Sequence, residues 1–115
     1  MNSTLLRCCL FLVAIIAISS RPRRQEETYV DRFKDIAINE MQRTGIPASI
    51  KLAQGLMESM SGRSELAVNA NNHFGIKCKS SWTGDKVYHD DDAAGECFRK
   101  YGSASDSYMD HSDYL

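Results

Sequence analysis

Residues 45–77 read GIPASIKLAQGLMESMSGRSELAVNANNHFGIK, and the fold is read outward from this stretch. Gly45 stops a preceding helix, and Pro47 suits the first turn of the next. Ile50, Ala53, Leu56, Met57 and Met60 recur at helical spacing, which predicts an apolar face for that second helix, with Gly62 as its C-terminal stop. Ser64 followed by Glu65 starts a short third helix that runs to Ala70. The amide-rich residues Asn69 to Asn72 predict a turn, and Phe74 to Lys79 a strand.

On the N-terminal side, Thr28 is a good helix N-cap. Tyr29, Val30, Phe33, Ile36, Ala37 and Met41 follow at helical spacing as far as Gly45. On the C-terminal side, Trp82 to Asp85 is turn-like, Lys86 to His89 has strand character, Asp90 to Gly95 is a loop and Glu96 to Tyr101 predicts a third strand. Ser103 with Asp106 three residues on starts a last helix that holds Tyr108, Met109 and Tyr114. The class is α+β: three helices, a small antiparallel sheet and a final helix. Little sequence remains to cover Tyr114 and Leu115, so the domain is expected to continue beyond this chain.

The chain has 115 residues, which leaves room for one domain at roughly 100–200 residues each. Hydrophobic residues make up 43% and charged residues 25%, a balance that fits a globular domain rather than disorder. Fourteen basic against fifteen acidic residues give a net charge of −1, which removes a strongly basic nucleic-acid binder from consideration.

Arg7, the apolar run Cys8 to Ile18 and then Ser19 and Ser20 make residues 1–20 a secretory signal peptide. The run is shorter than the roughly 20 apolar residues a membrane span needs. Ala17-Ile18-Ser19 supplies the small residues of a cleavage site, and an uncleaved anchor, the one route to a membrane, is the alternative. Residues 21–27 (RPRRQEE) form a polar linker, and 28–115 the folded part. Signal removal takes Cys8 and Cys9 and leaves Cys78 and Cys97. In an oxidising compartment these two can pair as a disulfide, and two free buried thiols are the alternative.

Three segments carry candidate chemistry. Glu58 sits among Leu56, Met57 and Met60 near a helix C-terminus. Apolar neighbours and the negative end of a helix dipole both favour a protonated carboxyl, which is what a general acid requires. A solvated surface glutamate is the bland alternative. Asn71 to Lys77 offers amides for a hydroxyl-rich or acetamido-bearing ligand and a glycine for close approach; a capped turn would use the same residues. Asp90, Asp91, Asp92 and Glu96 make an acidic loop able to supply the second carboxylate that glycoside hydrolysis often uses. A calcium-stabilised interaction loop is a rival for it, although EF-hand spacing is absent. Trp82 and Tyr88 are candidates for stacking on sugar rings, or for the core. His73, His89 and His111 lack metal-ligand spacing, and no phosphate-binding glycine loop or GxSxG occurs.

Gly45 to Gly55 running into Met57-Glu58-Ser59, then Gly62 to Ala67, then Asn71 to Lys77, together resemble the bacterial glucosaminidase domain of peptidoglycan hydrolases, a family to which an amidase term is also attached. The resemblance covers Tyr29 to the chain end. It implies a lysozyme-like fold, a helical lobe and a small β-lobe flanking a glycan cleft. It places the catalytic glutamate on Glu58 and the cleft-lining segment on Asn72, Phe74 and Gly75, with His73 between them. The second acidic residue falls within Asp90 to Glu96. Met60 stands where the family usually has glycine. The implied protein is an exported, secreted or periplasmic, monomeric hydrolase of peptidoglycan glycan strands needing no metal or organic cofactor. A non-catalytic glycan-binding module or degenerate fragment of the same fold is the alternative.

Overall fold

The computed structural model describes residues 27–115; the expected signal peptide and most of the linker lie outside them. Helix α1 spans Tyr29–Thr44. Its N-terminus is closed by a reciprocal cap, in which the Thr28 hydroxyl accepts from the Asp31 amide and the Asp31 carboxylate accepts from the Thr28 amide, both at 3.1 Å. Tyr29, Phe33, Ala37 and Glu40 face inward at helical spacing. Gly45, at φ 80°, ends the helix by donating to the Met41 carbonyl.

Helix α2 spans Ala48–Glu58 and packs against α1, but not on the face its apolar residues predict. Ile50 is 50% exposed and Met57 77%, and Leu56 and Met60 are exposed too. The buried positions are Lys51 and Gly55. Two contacts decide this orientation. Gly55 lets the Tyr29 and Tyr108 hydroxyls approach the helix backbone, and the Lys51 ammonium finds a carbonyl and two aromatic faces inside. The helix also stops at Glu58, ahead of Gly62. Met60, Ser61 and Gly62 are all left-handed, and the Ser59 hydroxyl donates to the Gly55 carbonyl while accepting from the Gly62 amide.

Helix α3 spans Glu65–Ala70, capped by Ser64 and closed by Asn71 at φ 52°. The strand expected over Phe74 to Lys79 is reduced to a single bridge, Lys77 to Phe98. The cause is Asn72. Its side chain accepts from the Ile76 amide at 3.0 Å and donates to the Ile76 and Arg99 carbonyls at 3.0 and 2.9 Å, taking up groups that a ladder would pair. The sheet therefore has two strands, β1 (Lys86–His89) and β2 (Glu96–Arg99), antiparallel with Val87 opposite Phe98 and His89 opposite Glu96. The Cys78–Cys97 disulfide pins the preceding segment to β2.

Helix α4 spans Ala104–Tyr114, with the Ser103 hydroxyl accepting from the Asp106 amide. Tyr108 enters the centre of the core beside Tyr29, Phe33, Ala37, Phe74, Ile76 and Tyr101. Arg99 ties the sheet to α4 through Asp110 at 2.9 Å and the Tyr114 hydroxyl at 2.8 Å, and its guanidinium lies over Trp82. Among the described residues no helix is long and apolar enough to cross a membrane.

Candidate active site

The C-terminal end of α2, the start of α3, the segment after Asn71 and the β1–β2 hairpin enclose a cleft of about 340 Å³. Glu58 enters it as the last residue of α2, and Asp91 enters from the hairpin loop. Asn72, Phe74 and Gly75 form the wall between them. Five of the residues singled out in the sequence thus meet at one place.

Their roles differ in detail from the expectation. Leu56, Met57 and Met60 are exposed, so they do not wrap the Glu58 side chain, which is itself exposed. Asn72 is buried and spends both amide hydrogens on backbone carbonyls; it shapes the wall instead of offering donors to a ligand. Gly75, at φ 63°, supplies the left-handed turn that brings this wall round.

Of the four acidic candidates, Asp91 alone lines the cleft. Asp90 accepts from the Gly95 amide at 2.7 Å and shapes the loop. Lys77 lies 3.1 Å from Glu96, 3.7 Å from Asp92 and 3.8 Å from Asp91, so one cation gathers three carboxylates at the cleft edge. One positive charge offsets only part of the repulsion among the three carboxylates, and the exposed contacts are weak.

Three other candidates lie elsewhere. His73 is buried in the core, where its Nδ1 is 2.8 Å from the Tyr29 hydroxyl, and burial lowers its pKa to about 4. Trp82 packs on Tyr101 and under Arg99, with its indole N–H donating to the Asp85 carbonyl. Tyr88 is exposed on β1 and does not line the cleft.

Sequence reasoning passed over Glu65 and His89 as cleft residues. His89 Nδ1 lies 3.4 Å from a Glu65 carboxylate oxygen and closes one end of the cleft. Strand alternation carried a signal for His89, because Val87 and His89 share the inner face of β1. Among the described residues no cluster of three or more His, Cys, Asp or Glu is arranged to hold a metal ion.

The sequence matches the glucosaminidase family, described as mannosyl-glycoprotein endo-beta-N-acetylglucosaminidase, over residues 34–115. The chain belongs to the glucosaminidase family. It is 34% identical over 101 residues to the peptidoglycan hydrolase FlgJ of Vibrio parahaemolyticus, a match covering 77% of this chain and 32% of that protein. It is 30% identical over 96 residues to the exo-glucosaminidase LytG of Bacillus subtilis, covering 76% and 33%. The chain therefore spans about a third of the length of these relatives. The crystal structure of a peptidoglycan hydrolase from Sphingomonas sp. A1 superposes with a TM-score of 0.66 at 31% identity, covering 74% of this chain and 58% of the other. The helices and small antiparallel sheet seen here are thus the lysozyme-like architecture of glucosaminidase-family hydrolases.

Proposed function

We propose that this chain is the catalytic module of an exported peptidoglycan hydrolase that cleaves β-1,4 bonds of N-acetylglucosamine in cell-wall glycan. One observation carries the reading: the carboxyl at the end of α2 shares a cleft with Asp91, Phe74 and Gly75. Glu58 is the general acid that protonates the leaving oxygen, and Asp91 handles water or the cation-like transition state. Phe74 offers an aromatic edge to a sugar ring. The leader-like residues 1–20 and the Cys78–Cys97 disulfide support export to an oxidising compartment, where the wall lies.

The test is hydrolysis of purified sacculi, with borohydride reduction to label each new reducing end. Reduced N-acetylglucosamine is the expected product; reduced N-acetylmuramic acid alone would assign the other glycosidic bond. Glu58→Gln keeps the side-chain shape but has no proton of carboxyl acidity, and is expected to lose at least about 10²-fold in rate. Binding of sacculi without turnover by the unaltered chain would make it a glycan-binding module instead.

A further inference from the structure

Lys51 is completely buried, and no carboxylate lies within hydrogen-bond distance of it among the described residues. A charge so placed is costly unless its surroundings are arranged for it. Its Nζ donates to the Tyr108 carbonyl at 3.0 Å and lies 2.6 Å from His111 Nδ1. It also stands 4.7 Å from the centre of the Phe74 ring. The His111 imidazole in turn lies flat on Phe74, with ring centres 3.9 Å apart and planes 5° from parallel. The Tyr108 ring meets Phe74 edge-on at 4.8 Å. Phe74 is a core residue, 8% exposed, that borders the cleft holding Glu58.

We propose that Lys51 is a positioning residue for the cleft: it locks His111 in one neutral tautomer, and the locked imidazole fixes the Phe74 ring against which a ligand rests. The ligand part of this inference rests on the glycan-cleft reading above. An ammonium has only donors to offer, so His111 Nδ1 must accept and its proton must sit on Nε2. A neutral ring with one fixed tautomer keeps one orientation over Phe74, while a doubly protonated ring would be repelled by the adjacent ammonium. Lys51 and Glu58 share α2, so wall and acid are referenced to one rigid element.

Glu40 from α1 and Asp113 from α4 favour the Lys51 ammonium, and Arg43 from α1 opposes it; Lys77 and Lys79 line the surface groove that His111 also borders. Burial lowers Lys51 to about 8, partly offset by Glu40. Burial and the Lys51 charge lower His111 to about 4. Between those values the lysine is charged and the histidine neutral.

The experiment combines nitrogen NMR of the imidazole, the Phe74 ring signals and the affinity for a tetrasaccharide of alternating N-acetylglucosamine and N-acetylmuramic acid. Affinity is measured in a Glu58→Gln background so that the sugar is not consumed. The parent is expected to show Nε2–H and bare Nδ1 for His111. Lys51→Met is expected to mix the tautomers, shift the Phe74 ring signals and weaken binding up to about tenfold, the scale of an aromatic pair. His111→Phe keeps a flat ring on Phe74 and is expected to bind within about twofold of the parent, whereas His111→Leu loses about as much as Lys51→Met. A parent with Nδ1–H, or equal affinity in His111→Phe and His111→Leu, overturns the proposal. So does a folded Lys51→Met with a lowered Tm but unchanged tautomer and affinity. Where Lys51→Met does not fold, the two His111 variants and the parent tautomer decide. If the tautomer and ring signals behave as expected but the parent binds no glycan, the positioning stands and the cleft reading fails.

Discussion

The hydroxyls of Tyr29 and Tyr108 lie 2.7 Å apart and close over the backbone of Gly55 in the last turn of α2. Tyr29 also reaches His73 Nδ1 at 2.8 Å, so one hydroxyl links α1, α4 and the segment leading to the cleft. A Cβ on Gly55 would fall 2.5 Å from the Tyr29 oxygen and 2.6 Å from the Tyr108 oxygen. Gly55→Ala gains about 1 kcal/mol of helix propensity. It must also displace two buried tyrosines, and overpacking costs typically about 1–3 kcal/mol. The displaced hydroxyls lose their bonds as well. A lower Tm is expected; a Tm equal to or above the parent's would show that the tyrosines yield without cost.

The same contact explains why α2 was only half legible. Its existence followed from the spacing of Ile50 to Met60, but that spacing overran its end at Glu58 and chose the wrong face. Periodicity weighs residues by apolarity, and here a glycine and a lysine are buried for reasons specific to their partners. The helices α1, α3 and α4 were legible because Thr28, Ser64 and Ser103 are caps whose chemistry is local. The strand expected at Phe74 failed because an amide earlier in the chain captured its backbone groups. Glu58 and Phe74, which the structure brings to one cleft, were singled out from short motifs, and Asp91 only as one of four acidic residues. His89 and Glu65 were not, since their meeting depends on how the hairpin folds back on α3.

Met60 holds φ 51°, is 66% exposed and lines the cleft. A left-handed residue with a side chain carries about 1–2 kcal/mol of strain. Glycine removes that strain but loses more chain entropy on folding, by about 0.5–1 kcal/mol. Met60→Gly is therefore expected to stabilise the protein by up to about 1 kcal/mol, read as a higher urea midpoint at unchanged m-value. A lower midpoint would mean that Met60 makes contacts worth more than its strain.

His73 and His111 are both held near 4 by burial, against an ordinary value of 6.5. Between those values the unfolded chain binds protons that the folded chain does not. Stability is thus fully present above pH 6.5 and is lost progressively as pH falls towards 4. Urea unfolding across this range is expected to show uptake approaching two protons, and approaching one in His111→Phe. A pH-independent midpoint would mean that these imidazoles are solvated in the native state.

Cys78 and Cys97 are separated by 19 positions, and their disulfide closes a loop containing β1 and the acidic turn that carries Asp91. In the chain-entropy picture a loop of that size is worth about 3 kcal/mol, drawn from the unfolded ensemble. The sheet it secures is small: two strands of four residues and one isolated bridge. A pair of short strands has little stability of its own. Arg99 anchors the far end of β2 to α4 through Asp110, whereas around Glu96 the charge contacts with Lys77 are partly exposed and correspondingly weak. Reduction is therefore expected to act unevenly. Global stability should fall by about 3 kcal/mol, and amide exchange should rise most in β1 and the Asp90–Gly95 loop, less at Arg99. The measurements are denaturant unfolding with and without reductant and residue-resolved hydrogen exchange of the reduced protein. Uniform acceleration of exchange across the hairpin and helices would show that the disulfide acts on the unfolded chain alone and does not hold Asp91 at the cleft.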